Sequence, residues 1–160
     1  MSVAENMAEH NAEIEQDVAK MQELMSKTET GMKMLEKSQE MAMSDEMMEL
    51  MSMIGDPEYP EDERMTLAQY MGDMLQDDPE NGLAAYAEYL EGVLKDPQYE
   101  SRNDYYKAIA DAARELSGTE IYKEYIKAYN EFEADDSEDA KAAREATRAM
   151  QEKMQQFANG

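Results

Sequence analysis

Nine residues, Met7, Asn11, Ile14, Val18, Met21, Met25, Thr28, Met32 and Leu35, follow one another at spacings that alternate between four and three. Side chains so spaced form one stripe along an α-helix, whereas a β-strand would scatter them over both faces. The seam predicts a helix that packs against another helix, either folding back as a hairpin or meeting a second copy of the chain. Gly31 lies on this run and weakens a helix by about 1 kcal/mol relative to Ala. A bend or break is therefore expected near 28–31, with Thr28 or Thr30 capping a second helix. After Leu35 the seam slips phase, and Met43, Met47, Leu50 and Ile54 continue it only with one extra residue. Gly55-Asp56-Pro57 then closes the segment, Gly as a C-terminal cap and Pro as a block to continuation.

The same stretch is loaded with sulfur. Six methionines fall between Met41 and Met53, and of the 17 in the chain only Met150 and Met154 lie beyond Leu75. Met32-x-Met34, Met41-x-Met43 and Met51-x-Met53 resemble the thioether spacing of segments that carry soft metal ions. On a helix, residues two apart point about 200° apart and cannot chelate one ion. There is no Cys, and the single His10 cannot supply the paired Glu-x-x-His motifs of a di-iron bundle. Neither "DDPENG" nor "DDSEDA" has the oxygen spacing of a calcium-binding helix-loop-helix. No metal and no cofactor is expected. The methionines read as an adaptable contact surface, since thioethers fill irregular gaps and repack against varied partners.

Further along, helical stripes recur between Asp-Pro punctuation. Pro60 and the acidic "EDE" suit a helix start, with Leu67, Ala68, Met71, Met74 and Leu75 facing inward. Asp78-Pro79 predicts the next helix, with Leu83, Tyr86, Leu90, Val93 and Leu94 inside. After Asp96-Pro97, Tyr105, Tyr106, Ile109, Ala112, Ala113 and Leu116 form another stripe that Gly118 ends. Thr119 and Ser137 are candidate caps for the last two helices. Strand signals are absent, so an all-α fold is expected: a long N-terminal helix or helical hairpin, a small helical bundle and a C-terminal helix. Asp56-Pro57-x-Tyr59 and Asp96-Pro97-x-Tyr99 echo one another 40 residues apart, as a helix-pair repeat or as one helix-opening turn used twice.

Charge divides the chain into three zones that we take as candidate domains. Residues 1–55, the Met-rich arm or hairpin, hold 12 acids and 4 bases. Residues 56–136, the Tyr-rich bundle, hold 22 and 7, and residues 137–160, the terminal helix, hold 4 and 4. The overall −23 opposes direct nucleic-acid binding and attachment to anionic membranes, and it favours a protein partner with a basic surface. The polar, acidic beginning of the chain does not read as a secretory signal, and no apolar run is long enough to span a bilayer. The expected location is the cytoplasm, or a host cytoplasm, virion or procapsid if the chain is viral. Catalysis has no foothold: there is no nucleophile elbow, Gly-rich phosphate loop or His/Asp/Ser set, so the chain is not expected to be an enzyme.

"LKDPQYESRNDYYKAI", with Asp96-Pro97-x-Tyr99, Tyr105 and Ile109, is similar to a segment of the capsid scaffolding proteins of short-tailed phages. It covers about a tenth of the chain; the family's version is richer in arginine and nearer the C-terminus. The resemblance implies an acidic, helical, self-associating assembly protein whose less acidic C-terminal helix touches a coat protein. "MMELMSMIGDPEY" more faintly resembles the Met-rich helical domains of co-chaperones that cradle hydrophobic clients.

The expectation is a non-enzymatic interaction protein, a viral assembly or scaffolding factor. It would self-associate as a homo-oligomer through Met7, Ile14, Val18, Met21, Met25, Met32 and Leu35, and dock a partner through Arg144, Arg148, Met150, Met154 and Phe157. One alternative is an acidic DNA mimic that inhibits a nucleic-acid-binding protein, with Tyr and Asp/Glu side by side on its surface. Another is a chaperone-like binder of apolar segments.

Overall fold

The structure, a computed structural model, describes residue 5 and residues 8–159, the last three of them by backbone alone. Met7 lies outside the described residues, as does the side chain of Phe157. The described chain is all-α. Eight helices follow in order: α1 (Asn11–Met25), α2 (Glu29–Ala42), α3 (Asp45–Ile54), α4 (Glu61–Asp77), α5 (Gly82–Val93), α6 (Asn103–Ser117), α7 (Glu120–Glu133) and α8 (Glu138–Asn159). A 3-10 helix, Pro97–Arg102, precedes α6. No strand occurs among the described residues.

The caps are built locally. Thr28 accepts from the Gly31 amide at 2.9 Å and so opens α2, in the break expected there. Thr119 and Ser137 accept from the amides of Tyr122 and Ala140, both at 3.2 Å. Two boundaries differ from expectation. The segment expected to run as one arm or hairpin is divided once more, because the chain breaks again between Ala42 and Asp45. Ser44 makes that break: its hydroxyl donates to the Met41 carbonyl at 2.7 Å and accepts from the Met47 amide at 3.2 Å. The helix expected directly after Asp78-Pro79 begins only at Gly82. Asp78 instead holds a turn, accepting from the Asn81 amide at 3.1 Å, while the Gly82 amide donates to the Asp78 carbonyl at 2.6 Å.

Packing divides the chain into two compact units, residues 1–38 with 127–160 and residues 39–126. These units cut across the three zones of charge and composition, and their boundaries fall inside α2 and α7. In the first unit α1 packs along α8. Its core is Met25, Phe132, Ala140 and Ala143, with Met21, Leu24, Met34 and Leu35 against it. Lys153 on α8 pairs with Asp17 at 3.0 Å and with Glu13, both on α1. The hydrogen bond from Lys153 holds the Glu13 carboxyl below its ordinary value. Asp135 likewise lies below its ordinary value, chiefly because the Thr30 hydroxyl donates to it at 2.5 Å.

In the second unit α6 is the hub. It buries Tyr105, Tyr106, Ile109, Ala110, Ala112, Ala113 and Leu116, and packs against both α3 and α5. Helix α4 packs on α5 and α3. Leu50 and Ile54 of α3, Leu67 and Met71 of α4, and Leu83, Tyr86 and Leu90 of α5 complete the interior. The α4–α5 approach is close: a Cβ on Gly82 would lie 2.5 Å from the Met74 carbonyl oxygen and 2.9 Å from the Leu75 Cα.

Gly31 is read differently once folded. It is buried, and a Cβ there would overlap the Met25 carbonyl oxygen across the α1–α2 turn. Helix propensity alone predicts that Gly31→Ala stabilises by about 1 kcal/mol. The turn instead predicts a loss of about 1–3 kcal/mol, because backbone must move to admit the methyl. Denaturant unfolding of G31A decides the sign.

Candidate functional site: a tyrosine-lined cleft

Both Asp-Pro-x-Tyr segments adopt one turn. The Asp56 carboxylate accepts from the Glu58 amide at 2.9 Å, and the Asp96 carboxylate accepts from the Gln98 amide at 3.1 Å. The amides of Tyr59 and Tyr99 then donate to the carbonyls of Asp56 and Asp96 at 3.2 and 3.0 Å. The sequence echo is thus one helix-opening turn used twice. Each copy delivers a tyrosine to the start of α6. Tyr59 stacks on Tyr105 with ring centroids 3.8 Å apart, and Tyr99 lies 6.2 Å from Tyr106.

An ion pair ties this cluster to α4. Arg102 Nε lies 2.8 and 3.0 Å from the two Glu63 oxygens, and the Tyr106 hydroxyl donates to Glu63 at 2.8 Å. The Arg102 guanidinium also sits over the Tyr59 ring, 5.2 Å from its centroid. Burial pushes the Glu63 carboxyl up, but the hydrogen bonds from Arg102 and Tyr106 outweigh it, and the group ends below its ordinary 4.5. Beside the pair opens a cleft of about 450 Å³. Tyr70, Tyr89, Tyr99 and Tyr106 line it with Leu67, Leu90 and Val93, and Asp62, Thr66, Gln98 and Ser101 supply polar groups. Tyr70 and Tyr89 meet edge to face at 5.5 Å, and each is 39% exposed.

Deeper tyrosines serve the fold. Tyr86 donates to the Leu67 carbonyl at 2.8 Å, Tyr105 to the Ile54 carbonyl at 2.5 Å, and Tyr122 to the Pro79 carbonyl. Burial, before any neighbouring charge, raises their hydroxyls, Tyr105 to about 12. At neutral pH these are protonated donors. The cleft therefore offers π faces, hydrogen-bonding groups and carboxylates, which suits recognition. Among the described residues no group of three His, Cys, Asp or Glu is placed to hold a metal ion.

The described residues singled out from the seam all belong to the first unit. Met25 is 3% exposed in its core, while Ile14, Val18, Met21 and Leu35 are half-buried and Met32 is exposed. On α8, Met150 and Met154 are half-buried and Arg148 is exposed. Arg144 is engaged within the unit. It donates to the carbonyls of Phe132 and Asp135 at 2.6 and 2.8 Å, at the C-terminal end of α7, and covers the Phe132 ring. The pairing of Glu63 with Arg102 leaves no mark in the sequence, because the two are 39 residues apart and nothing local links them. No protein-family model, curated protein or solved structure matches the chain.

Since the Glu63 carboxyl titrates below its ordinary value in the fold, its contribution is present above the unfolded value and lost as pH falls through the folded one. Glu63→Gln is expected to cost about 1–2 kcal/mol at neutral pH, and the gap between melts of wild type and E63Q is expected to close as pH falls below the ordinary glutamate range. Arg144→Ala, which strips two donors from half-buried carbonyls, is expected to cost about 1–3 kcal/mol, and Arg148→Ala under about 0.5 kcal/mol, in thermal or denaturant melts.

Proposed function

We propose that the chain is a non-enzymatic, acidic helical interaction protein, an assembly or scaffolding factor that self-associates and docks a partner with a basic surface. One observation carries the self-association: α3 buries Leu50 and Ile54 while Met48 and Met51, one turn apart, stay 60% and 44% exposed. Met43, at the turn before α3, is 76% exposed. Unbranched thioethers held in water at helical spacing suit an adaptable protein contact. Met25 lies in the interior of the first unit, so of the seam it is the 56% exposed Met32, with the half-buried Ile14, Val18, Met21 and Leu35, that would join this α3 face in meeting a second copy. The resemblance of segment 94–109 to phage scaffolding proteins supports a viral setting, in a host cytoplasm, virion or procapsid.

The excess of acids over 56–136 also supports the DNA-mimic reading, in which the acidic bundle occupies a basic groove. The two part on salt: carboxylate contacts weaken steeply as ionic strength rises, and methionine contacts persist. A chaperone-like role would use the same α3 face on hydrophobic peptides.

Sedimentation across a wide concentration range tests the proposal. Concentration-dependent oligomers that survive high salt are expected. M43S/M48S/M51S is expected to weaken association by about tenfold or more, as each methionine contributes apolar burial. A species that stays monomeric at the highest concentration removes self-association.

A further inference from the structure

The cleft beside Glu63 and Arg102 is a cavity that neither the core nor the methionine face explains. Its volume of about 450 Å³ falls within the range of ligand sites, roughly 300–1,000 Å³. Tyr70 and Tyr89 are among the few large apolar side chains left exposed in the described chain, and they meet each other at its wall. Two aromatic rings that meet edge to face and remain partly open to water leave π surface within reach of a ligand. Asp62 stands in the same lining, at the start of α4.

The tyrosine cluster already holds a cation of its own. Arg102 lies over the Tyr59 ring while its Nε bonds Glu63, so a guanidinium here is satisfied by one π face and one carboxylate together. Tyr70, Tyr89 and Asp62 bring those two chemistries together again in the lining of the cleft. Guanidinium groups stack on aromatic rings and fork to carboxylates, which a compact ammonium does less well. The −23 of the chain draws basic segments toward such a surface and leaves anionic ligands disfavoured.

We propose that this cleft receives an arginine side chain from an extended basic peptide segment of a partner protein, its guanidinium held against the perpendicular Tyr70–Tyr89 pair and paired with Asp62. The inference rests on the reading of the chain as a protein that docks a basic partner and is independent of the methionine face, so sedimentation and peptide binding fail separately.

The test uses the full chain and three labelled peptides of equal length: arginine–glycine, lysine–glycine and proline-rich without cations. Fluorescence anisotropy reads binding, and ring signals of isotopically labelled tyrosine read the location. Expected are tighter binding of the arginine peptide than of the lysine peptide, shifts at Tyr70 and Tyr89, and no binding of the proline peptide. Y70A/Y89A leaves net charge unchanged and is expected to weaken binding by about tenfold. Y70F/Y89F keeps the π faces and is expected to retain it, and D62N to weaken it. Equal binding by Y70A/Y89A would mean diffuse electrostatic attraction and overturn the site. Preference for the proline peptide, or absence of ring shifts in the wild type with saturating arginine peptide, overturns it as well. The ring signals decide the matter in the wild-type chain even if the double alanine variant folds poorly.

Discussion

Burial of α6 is the interaction on which the larger unit depends. Its inward stripe alternates bulk with alanine: Tyr105, Tyr106, Ile109 and Leu116 fill space, while Ala110, Ala112 and Ala113 let neighbouring helices come near. Large side chains set beside small ones allow helix surfaces to interlock without voids. Helices α3 and α5 both pack on it, and α4 joins through them. The tyrosines complete the arrangement by joining apolar burial to a hydrogen bond. Tyr105 lies in the core yet donates to the Ile54 carbonyl, which the end of α3 leaves without an intrahelical partner. One side chain thereby fills the interior and caps a helix.

The acidity of the chain is compatible with this interior because the carboxylates are kept out of it. Among the described residues the buried ones are overwhelmingly apolar, and the buried polar residue is Ser44, a cap. Where acids do approach the interior they are hydrogen-bonded: Glu63 by Arg102 and Tyr106, Asp135 by Thr30 and the Ser137 amide. Such partners favour the ionised form and offset desolvation, so both groups titrate low. Self-repulsion elsewhere is a cost that the two apolar cores must exceed. The same excess of negative charge is what the proposed basic partner would answer, and the aromatic faces of the cleft are the basis of the proposed preference for arginine over lysine.

Local features of the chain are legible to different depths. The all-α class, the break before Gly31 and the caps at Thr28, Thr119 and Ser137 can be read from the residues alone because each depends on a single helical turn. The end at Gly55 belongs with them. The break at Ser44 escapes such a reading although its capping chemistry is present, because the slip in phase of the stripe after Leu35 does not say at which residue the helix ends. Asp78-Pro79 suggests a helix start one turn too early, since the Asp carboxylate serves Asn81 in a turn of its own. Of the cleft, only the tyrosines and the repeated Asp-Pro-x-Tyr stand out in the sequence.

By itself, the sequence determined where most helices begin and end, which stripe of each is apolar and that the surface is anionic. Those properties come from propensity, capping and charge, which act over a few residues. Tertiary structure alone decided the partners. It laid α1 along α8, joined Lys153 to Asp17 across 136 residues, and placed Arg102 against Glu63 with a cleft beside them. An apolar stripe specifies that it must be covered, but many surfaces can cover it. Only the simultaneous packing of all the helices selects which one does, and with it which methionines and tyrosines remain in contact with water.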